Sequence, residues 1–304
     1  MRTLSRRTLL LMPCLLPALA LPTLASEPEA EVLEREIGFP SDGLEIRGTY
    51  VRPEGTGPFP VVVILHGIGG RRHGPAIRGT QDRLFREIAH QWAARGIATL
   101  RFSTGGREGS AGDYADMTLE RRVREAVAAI DFLAGSEDID PQRVSLLGHS
   151  QGSLVAAATA RRLAGSNPVS SVVLWAPQEN ALDVYIRSMG QATYEKGLNA
   201  GPHEIVEWHG AGGRRRGFRR GFFAGLADFD AVADIRAYGG KTLVVTGRRD
   251  RWSPTYRATV FRKAGPEVDL VEFDVGHRMG ADIGLDAVRG VSDATLDWLL
   301  ASWR

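Results

Sequence analysis

Gly148-His149-Ser150-Gln151-Gly152 separates two stretches of different character. Before it, Arg143–Leu147, with Val144, Leu146 and Leu147, predicts a short strand. After it, Ser153–Leu163 is rich in alanine and predicts a helix. A serine with glycine two residues to either side, at a strand-to-helix turn, matches the G-x-S-x-G elbow. The need for glycine is steric. The serine occupies a strained turn, and Gly148 and Gly152 let neighbouring backbone approach where a Cβ would collide. Ser150 then projects from the start of a helix as a candidate nucleophile. Five residues alone are a weak pattern in a chain with 36 glycines. The flanking strand and helix give the pattern its meaning.

The elbow sits within a wider alternation. Pro60–Leu65 is a continuous apolar run ending at His66-Gly67, as expected of a strand covered on both faces. Further strands are expected at Ile97–Phe102, Val169–Trp175, Lys241–Thr246 and Val268–Phe273. Helical spacing falls between them at Gln81–Arg95, Thr118–Leu133, Pro254–Ala264 and Leu285–Trp303. The 118–133 stretch is amphipathic: Val123, Val127, Ile130 and Leu133 recur every three or four residues, with arginines and glutamates between them. Such alternation predicts an α/β fold, a mostly parallel sheet with helices on both faces. Glu34–Phe39 and Glu45–Arg52 read as a hairpin turning at Ser41-Asp42-Gly43, which adds antiparallel strands to one edge. Residues 177–235 exceed a usual crossover. They hold Tyr185, Tyr194, Trp208, Phe218, Phe222, Phe223 and the run Arg214-Arg215-Arg216-Gly217-Phe218-Arg219-Arg220. An insertion there is expected to cap the carboxyl ends of the strands, where open α/β sheets bind ligands.

A serine hydroxyl needs a base to take its proton. His277 follows the 268–273 strand, and Asp250 follows the 241–246 strand. Ser150, Asp250 and His277 thus occur in the chain order this elbow uses, each just past a strand's carboxyl end. Asp274 and Asp282 near His277, and Asp228, Asp230 and Asp234, fit an orienting acid less well. His66-Gly67-Ile68-Gly69-Gly70 follows the first buried strand, and its glycines free backbone N–H groups. The amides of Ile68 and Gln151 are the expected oxyanion pair. His66 is expected to fix that loop without touching substrate.

The ordered set His66-Gly67-x-Gly69-Gly70, Arg101-Phe102-x-x-x-Gly106-x-x-Gly109-Ser110, Gly148-His149-Ser150-Gln151-Gly152, Gly247-x-x-Asp250-x-x-Ser253-Pro254 and Gly276-His277 resembles the α/β-hydrolase superfamily. The pattern is similar to secreted esterases of the feruloyl/cinnamoyl-esterase and acyl-peptidase-like type, over about residues 34–304. The resemblance implies Ser150 as nucleophile, His277 as base, Asp250 as its orienter and a cap from 177–235. Two features depart from the pattern: the loose loop Ser103-Thr104-Gly105-Gly106-Arg107-Glu108-Gly109, and the Arg214–Arg220 cluster. Both bear on the substrate. The expected activity is carboxylic ester hydrolysis. Peptidase, amidase or thioesterase action on the same triad is the alternative, and a non-catalytic binder of the same fold is the reading from another class.

Composition narrows the partners. Apolar residues make up 43% and charged residues 24%, ordinary for a folded globular chain. A formal charge of +2 is too balanced for wholesale nucleic-acid binding. Only three lysines, Lys196, Lys241 and Lys263, accompany 35 arginines, a compositional bias more than a patch. The expected partner is a small acyl ester, an acidic one if Arg248, Arg249 and Arg251 face the mouth together with the cap arginines. No cofactor or metal is expected. His203-Glu204-Ile205-Val206-Glu207 begins like a zinc-binding H-E-x-x-H, but Glu207 stands where the second histidine belongs. Gly67-Ile68-Gly69-Gly70 lacks the glycine spacing of a dinucleotide loop.

The N-terminus carries its own signal. A basic stretch precedes the apolar run Leu9–Leu21, followed by small residues up to Ala25, the plan of a secretory signal. Ser5-Arg6-Arg7-Thr8-Leu9-Leu10 resembles a twin-arginine signal. The run, interrupted by Pro13 and Pro17, is short of the roughly 20 residues that span a bilayer. Cleavage is expected after Ala25, or else after Ala20, so residues 26–304 would form the mature hydrolase domain, periplasmic or secreted. The membrane is then a partner only through the uncleaved signal. Removing residues 1–25 takes three arginines, no acid and the single cysteine, Cys14, leaving a formal charge of −1 and no thiol chemistry.

Overall fold

The computed structural model describes residues 32–304, apart from 70, 167–168 and 211–212. The expected export signal at 1–25 lies outside the described residues. Strands form at β1 (Val32–Ser41), β2 (Leu44–Pro53), β3 (Phe59–Leu65), β4 (Ala98–Phe102), β5 (Ile139–His149), β6 (Val169–Trp175), β7 (Val206–His209), β8 (Arg215–Phe218), β9 (Thr242–Gly247) and β10 (Val268–Phe273). Eight of them make one sheet in the order β1-β2-β4-β3-β5-β6-β9-β10, while β7 and β8 pair with each other. From β4 to β10 the pairing is parallel. The β1–β2 hairpin adds the antiparallel edge. Its turn places Asp42 at φ 48° and Gly43 at φ 74°. Two successive positive φ values suit an Asp-Gly pair and match the twist of the flanking strands.

Helices cover both faces. α1 (Leu84–Ala93) and α9 (Leu285–Ser302) pack on one side, against Val62 and Ile64 of β3. α2 (Leu119–Ala134), α3 (Gln151–Leu163) and α7 (Ala231–Tyr238) pack on the other, against Val61, Val63 and Leu65. Successive β3 side chains therefore enter opposite cores, the period-two consequence of a pleated strand. The alanines of α3 are buried around most of its circumference, and small side chains let it sit close to the sheet, α2 and α7 together.

Between β6 and α7 the chain makes the long insertion, with α4 (Ala181–Met189), α5 (Gln191–Leu198), the β7–β8 hairpin and α6 (Arg220–Ala224). An antiparallel bridge between Asn180 and Asp230 ties its two ends. The insertion proper is thus shorter than 177–235. Asp230 caps α7 through the Ala233 amide, and the apolar face of α7 returns to α3. Phe222 is the hub of the insertion's own core. It stacks on Phe218 at 4.4 Å and meets the Tyr185 ring edge-on at 5.1 Å and Trp208 at 5.9 Å.

Two local expectations differ. Residues 254–264 form α8 (Thr255–Ala258) and then a 3-10 turn over Thr259–Ala264. The Thr259 hydroxyl donates back to the Tyr256 carbonyl at 2.6 Å, and the β-branched Thr259-Val260 pair disfavours continuing the α-helix. β5 starts earlier than 143 because a register jump opposite Phe59–Val61 accommodates Pro141.

Candidate active site

β3 and β5 are neighbours, with Leu65 opposite Gly148. The loop carrying His66-Gly67-Ile68 therefore faces the elbow after β5. Ser150 adopts φ 55°, ψ −121°, a conformation that persists only where the surroundings impose it. They do so closely. A Cβ on Gly148 would collide with the Gly152 carbonyl, and one on Gly152 with the Leu65 carbonyl. The Ser150 amide donates to the Trp175 carbonyl at 2.9 Å. The Ser150 carbonyl accepts from the Ser153 amide and hydroxyl at 2.9 and 2.6 Å.

β10 lies three strands from β5, about 14 Å at the usual spacing. His277 reaches Ser150 because the chain after β10 runs back over the end of β9. Gly247 makes this crossing possible, since a Cβ there would strike the Val275 carbonyl. The Arg249 amide donates to that same carbonyl at 3.0 Å. His277 Nε2 then lies 2.9 Å from Ser150 Oγ, and Nδ1 lies 2.8 Å from Asp250 Oδ2. The second Asp250 oxygen accepts from the amides of Trp252 and Ser253 at 2.7 and 3.0 Å. Burial pushes the Asp250 carboxyl up, but the His277 hydrogen bond and charge, with the two amides, outweigh it and hold the group below its usual range. Asp250 is therefore an ionised acceptor. Asp274 and Asp234 bind Arg249 and Arg161 instead.

On the other side of Ser150, a Cβ on Gly67 would stand 3.1 Å from the serine Cβ. Glycine lets the loop come so near without crowding the serine. The amides of Ile68 and Gln151 have no acceptor among the described residues. Gln151 opens α3, where orphan N–H groups and the helix dipole favour negative charge. His66 is buried. Burial, then the Arg122 charge, pushes its pKa down to about 3, so the ring is neutral. Its Nδ1–H donates to the Gly67 carbonyl at 2.7 Å and braces the loop, as expected.

Four residues not assigned a role by the sequence belong to this site. His149, the variable position after Gly148, donates from Nε2 to the His277 carbonyl at 2.8 Å. Burial and the His277 charge push its pKa down to about 4, so it too is neutral. Arg122 lies on α2 and is almost fully buried. Its guanidinium donates to the Gln151 side-chain oxygen at 2.7 Å and the His66 carbonyl at 2.6 Å, joining the two segments that carry the expected oxyanion amides. Gln151 in turn donates to the Tyr185 hydroxyl at 2.7 Å. The Tyr114 hydroxyl accepts from the Gly69 amide at 2.7 Å. The amphipathic spacing of α2 leaves Arg122 on its polar side; a composite polar site at the loops, and not solvent, receives it.

The arginine run divides. Arg215 pairs with Glu207, and Arg219 with Asp113 and Asp116. Arg216 instead reaches the oxyanion loop, with one Nη 3.5 Å from the Ile68 carbonyl. Arg248 and Arg249 are occupied by Glu272 and Asp274 of the β10 end. The insertion's aromatic residues pack mainly among themselves, so they form a core and not an open aromatic slot.

Comparison with known proteins agrees with the fold. The model of the "Alpha/beta hydrolase family" matches residues 62–282. Esterase EstD of Thermotoga maritima is 31% identical over 161 residues, covering 50% of this chain and 37% of EstD. An uncharacterized protein of Mycobacterium tuberculosis is 29% identical over 144 residues, covering 47% of this chain and 45% of its own. The chain thus matches less than half the length of these curated relatives. Among solved structures, Est1E from Butyrivibrio proteoclasticus with ferulic acid bound has a TM-score of 0.69 at 19% identity, covering 88% of this chain and 98% of Est1E. The Pyrococcus furiosus esterase Pf2001 has a TM-score of 0.57 at 15% identity, with 89% of each chain covered. These two likenesses are of fold.

Proposed function

The chain belongs to the alpha/beta hydrolase family, and on that premise we propose that it is a serine hydrolase cleaving carboxylic esters through an acyl-enzyme on Ser150. The observation that carries the reading is the unbroken hydrogen-bonded line from Ser150 Oγ through His277 to the buried Asp250. His277 Nε2 takes the hydroxyl proton as Ser150 Oγ attacks the acyl carbonyl. The carbonyl oxygen becomes an oxyanion, which the Ile68 and Gln151 amides stabilise. Collapse expels the alkoxide, which leaves with the proton from His277. Water then attacks the acyl-enzyme by the same steps and frees the acid. Asp250 stays ionised, holding the imidazole in the tautomer that presents Nε2 as an acceptor. The EstD name and the Est1E ligand support an ester as substrate class.

A panel of nitrophenyl esters, aminoacyl anilides and acyl-CoA thioesters tests this choice. Ester turnover should dominate. Strong anilide hydrolysis without ester turnover would move the protein to the peptidases. The proposal includes export by residues 1–25. Cell fractionation should find the mature chain outside the cytoplasm, and changing Arg6 and Arg7 together to lysine should retain the precursor inside.

A further inference from the structure

We propose that the insertion supplies an anion-recognising group to this site, Arg216, and that the preferred ester carries a carboxylate beyond its scissile bond. The inference rests on the esterase reading above. Arg216 stands on β8, its guanidinium against the oxyanion loop: a Cβ on Gly69 would lie 2.7 Å from Nη1 and 3.1 Å from Cζ. Among the described residues, its one side-chain hydrogen bond is the long 3.5 Å approach to the Ile68 carbonyl. A guanidinium has five N–H donors in a planar fork suited to a carboxylate. Most of that capacity is unspent here.

The neighbouring charges sharpen the argument. Among the described residues Arg216 has no carboxylate within 4 Å, whereas Arg215 and Arg219 on the same short run are both paired. Asp113 and Asp116, at the 3-10 turn that carries Tyr114, are taken by Arg219. A second guanidinium, that of Arg107, lies over the Tyr114 ring at 3.7 Å from its centroid. Tyr114 itself binds the Gly69 amide. Two cations therefore flank this loop, and among the described residues no carboxylate lies within 4 Å of either. Trp208 is directly opposite Arg216 in the β7–β8 pairing, so their side chains share a face. Its indole N–H is buried without an acceptor among the described residues. Cations left unneutralised beside a reacting centre raise the local concentration of anions and orient them.

The carboxylate could belong to the acyl or the alcohol part, and the substrates separate the two. Hydrolysis is followed by acid release at constant pH. Monoethyl succinate, glutarate and adipate are compared with ethyl butyrate for the acyl side, and 4-acetoxybenzoate with phenyl acetate for the alcohol side. On at least one side the wild type should favour the anion in kcat/KM by on the order of 10-fold or more. In Arg216→Gln that ratio should fall to about one, and Arg216→Lys should restore part of it, since charge survives without the fork. Rising salt should lower the wild-type ratio and leave the Gln ratio flat. An unchanged ratio in Arg216→Gln, or neutral esters turned over as well as anionic ones, overturns the subsite while the esterase reading stands. No turnover of any ester removes both.

Discussion

Ser150 holds a positive φ at a cost of order 1–3 kcal/mol, a conformation sustained by packing around Gly148 and Gly152. The strain aims Oγ at His277, and the chemistry depends on that aim. Asp250→Asn keeps the shape but favours the wrong imidazole tautomer, and steady-state kinetics should show kcat lower by on the order of 10⁴. His149 acts one step away. Its Nε2–H fixes the backbone of His277 without touching substrate. His149→Phe keeps the edge contact with Phe85 and loses this one bond. The expected effect is about a 10-fold drop in kcat with KM little changed. Equal kcat in the variant would show that the loop after β10 is held without it. The triad residues are legible in the sequence because each follows a strand in the right order. His149 and Arg122 are not, because their partners are backbone and side-chain groups more than 25 residues away, and nothing local marks them.

At the level of elements, the strands and most helices follow from apolar periodicity and turn chemistry, as Asp42-Gly43 illustrates. The insertion does not. It contains aromatic side chains at irregular spacing, and their meeting around Phe222 depends on the bridge at Asn180 and Asp230. The bridge closes the insertion at its base, while its rings join the same buried cluster as the sheet and α2. Phe222→Ala should cost about 3–5 kcal/mol within the insertion. Hydrogen exchange should quicken across residues 181–229 and stay unchanged in β5, β6 and α3. Equal quickening in the sheet would mean that insertion and sheet unfold as one body. Arg122 and Tyr185 meet at Gln151, so the same variant should also lower kcat by loosening the oxyanion side.

For the whole molecule, buried ionisable groups set the response to acid. Burial above all keeps His149 and His66 neutral, with pKa values of about 4 and about 3 against an ordinary 6.5. The unfolded chain binds a proton on each below 6.5, so their contribution is present at neutral pH and lost as pH falls towards 4. Asp234 acts in the opposite sense. Burial holds its carboxyl at about 6 against 3.8, so unfolding releases its proton between these values, and its contribution improves on acidification. Burial lowers the His73 pKa as well, so unfolding takes up protons on balance and the fold weakens as pH falls. Thermal melts should show Tm falling from about pH 7 to about pH 4, and more steeply in Asp234→Asn, which lacks the opposing group. A flat Tm over that range would contradict the assignment of neutral buried histidines. The central claim, a serine activated by His277, has a more direct test. The protein is treated with a fluorophosphonate and the modified peptide is identified by mass spectrometry. The account predicts one adduct, on Ser150, absent in Ser150→Ala and formed at least about 10³-fold more slowly in His277→Ala. No adduct on the wild-type protein, or labelling of Ser150 at the same rate without His277, would contradict it.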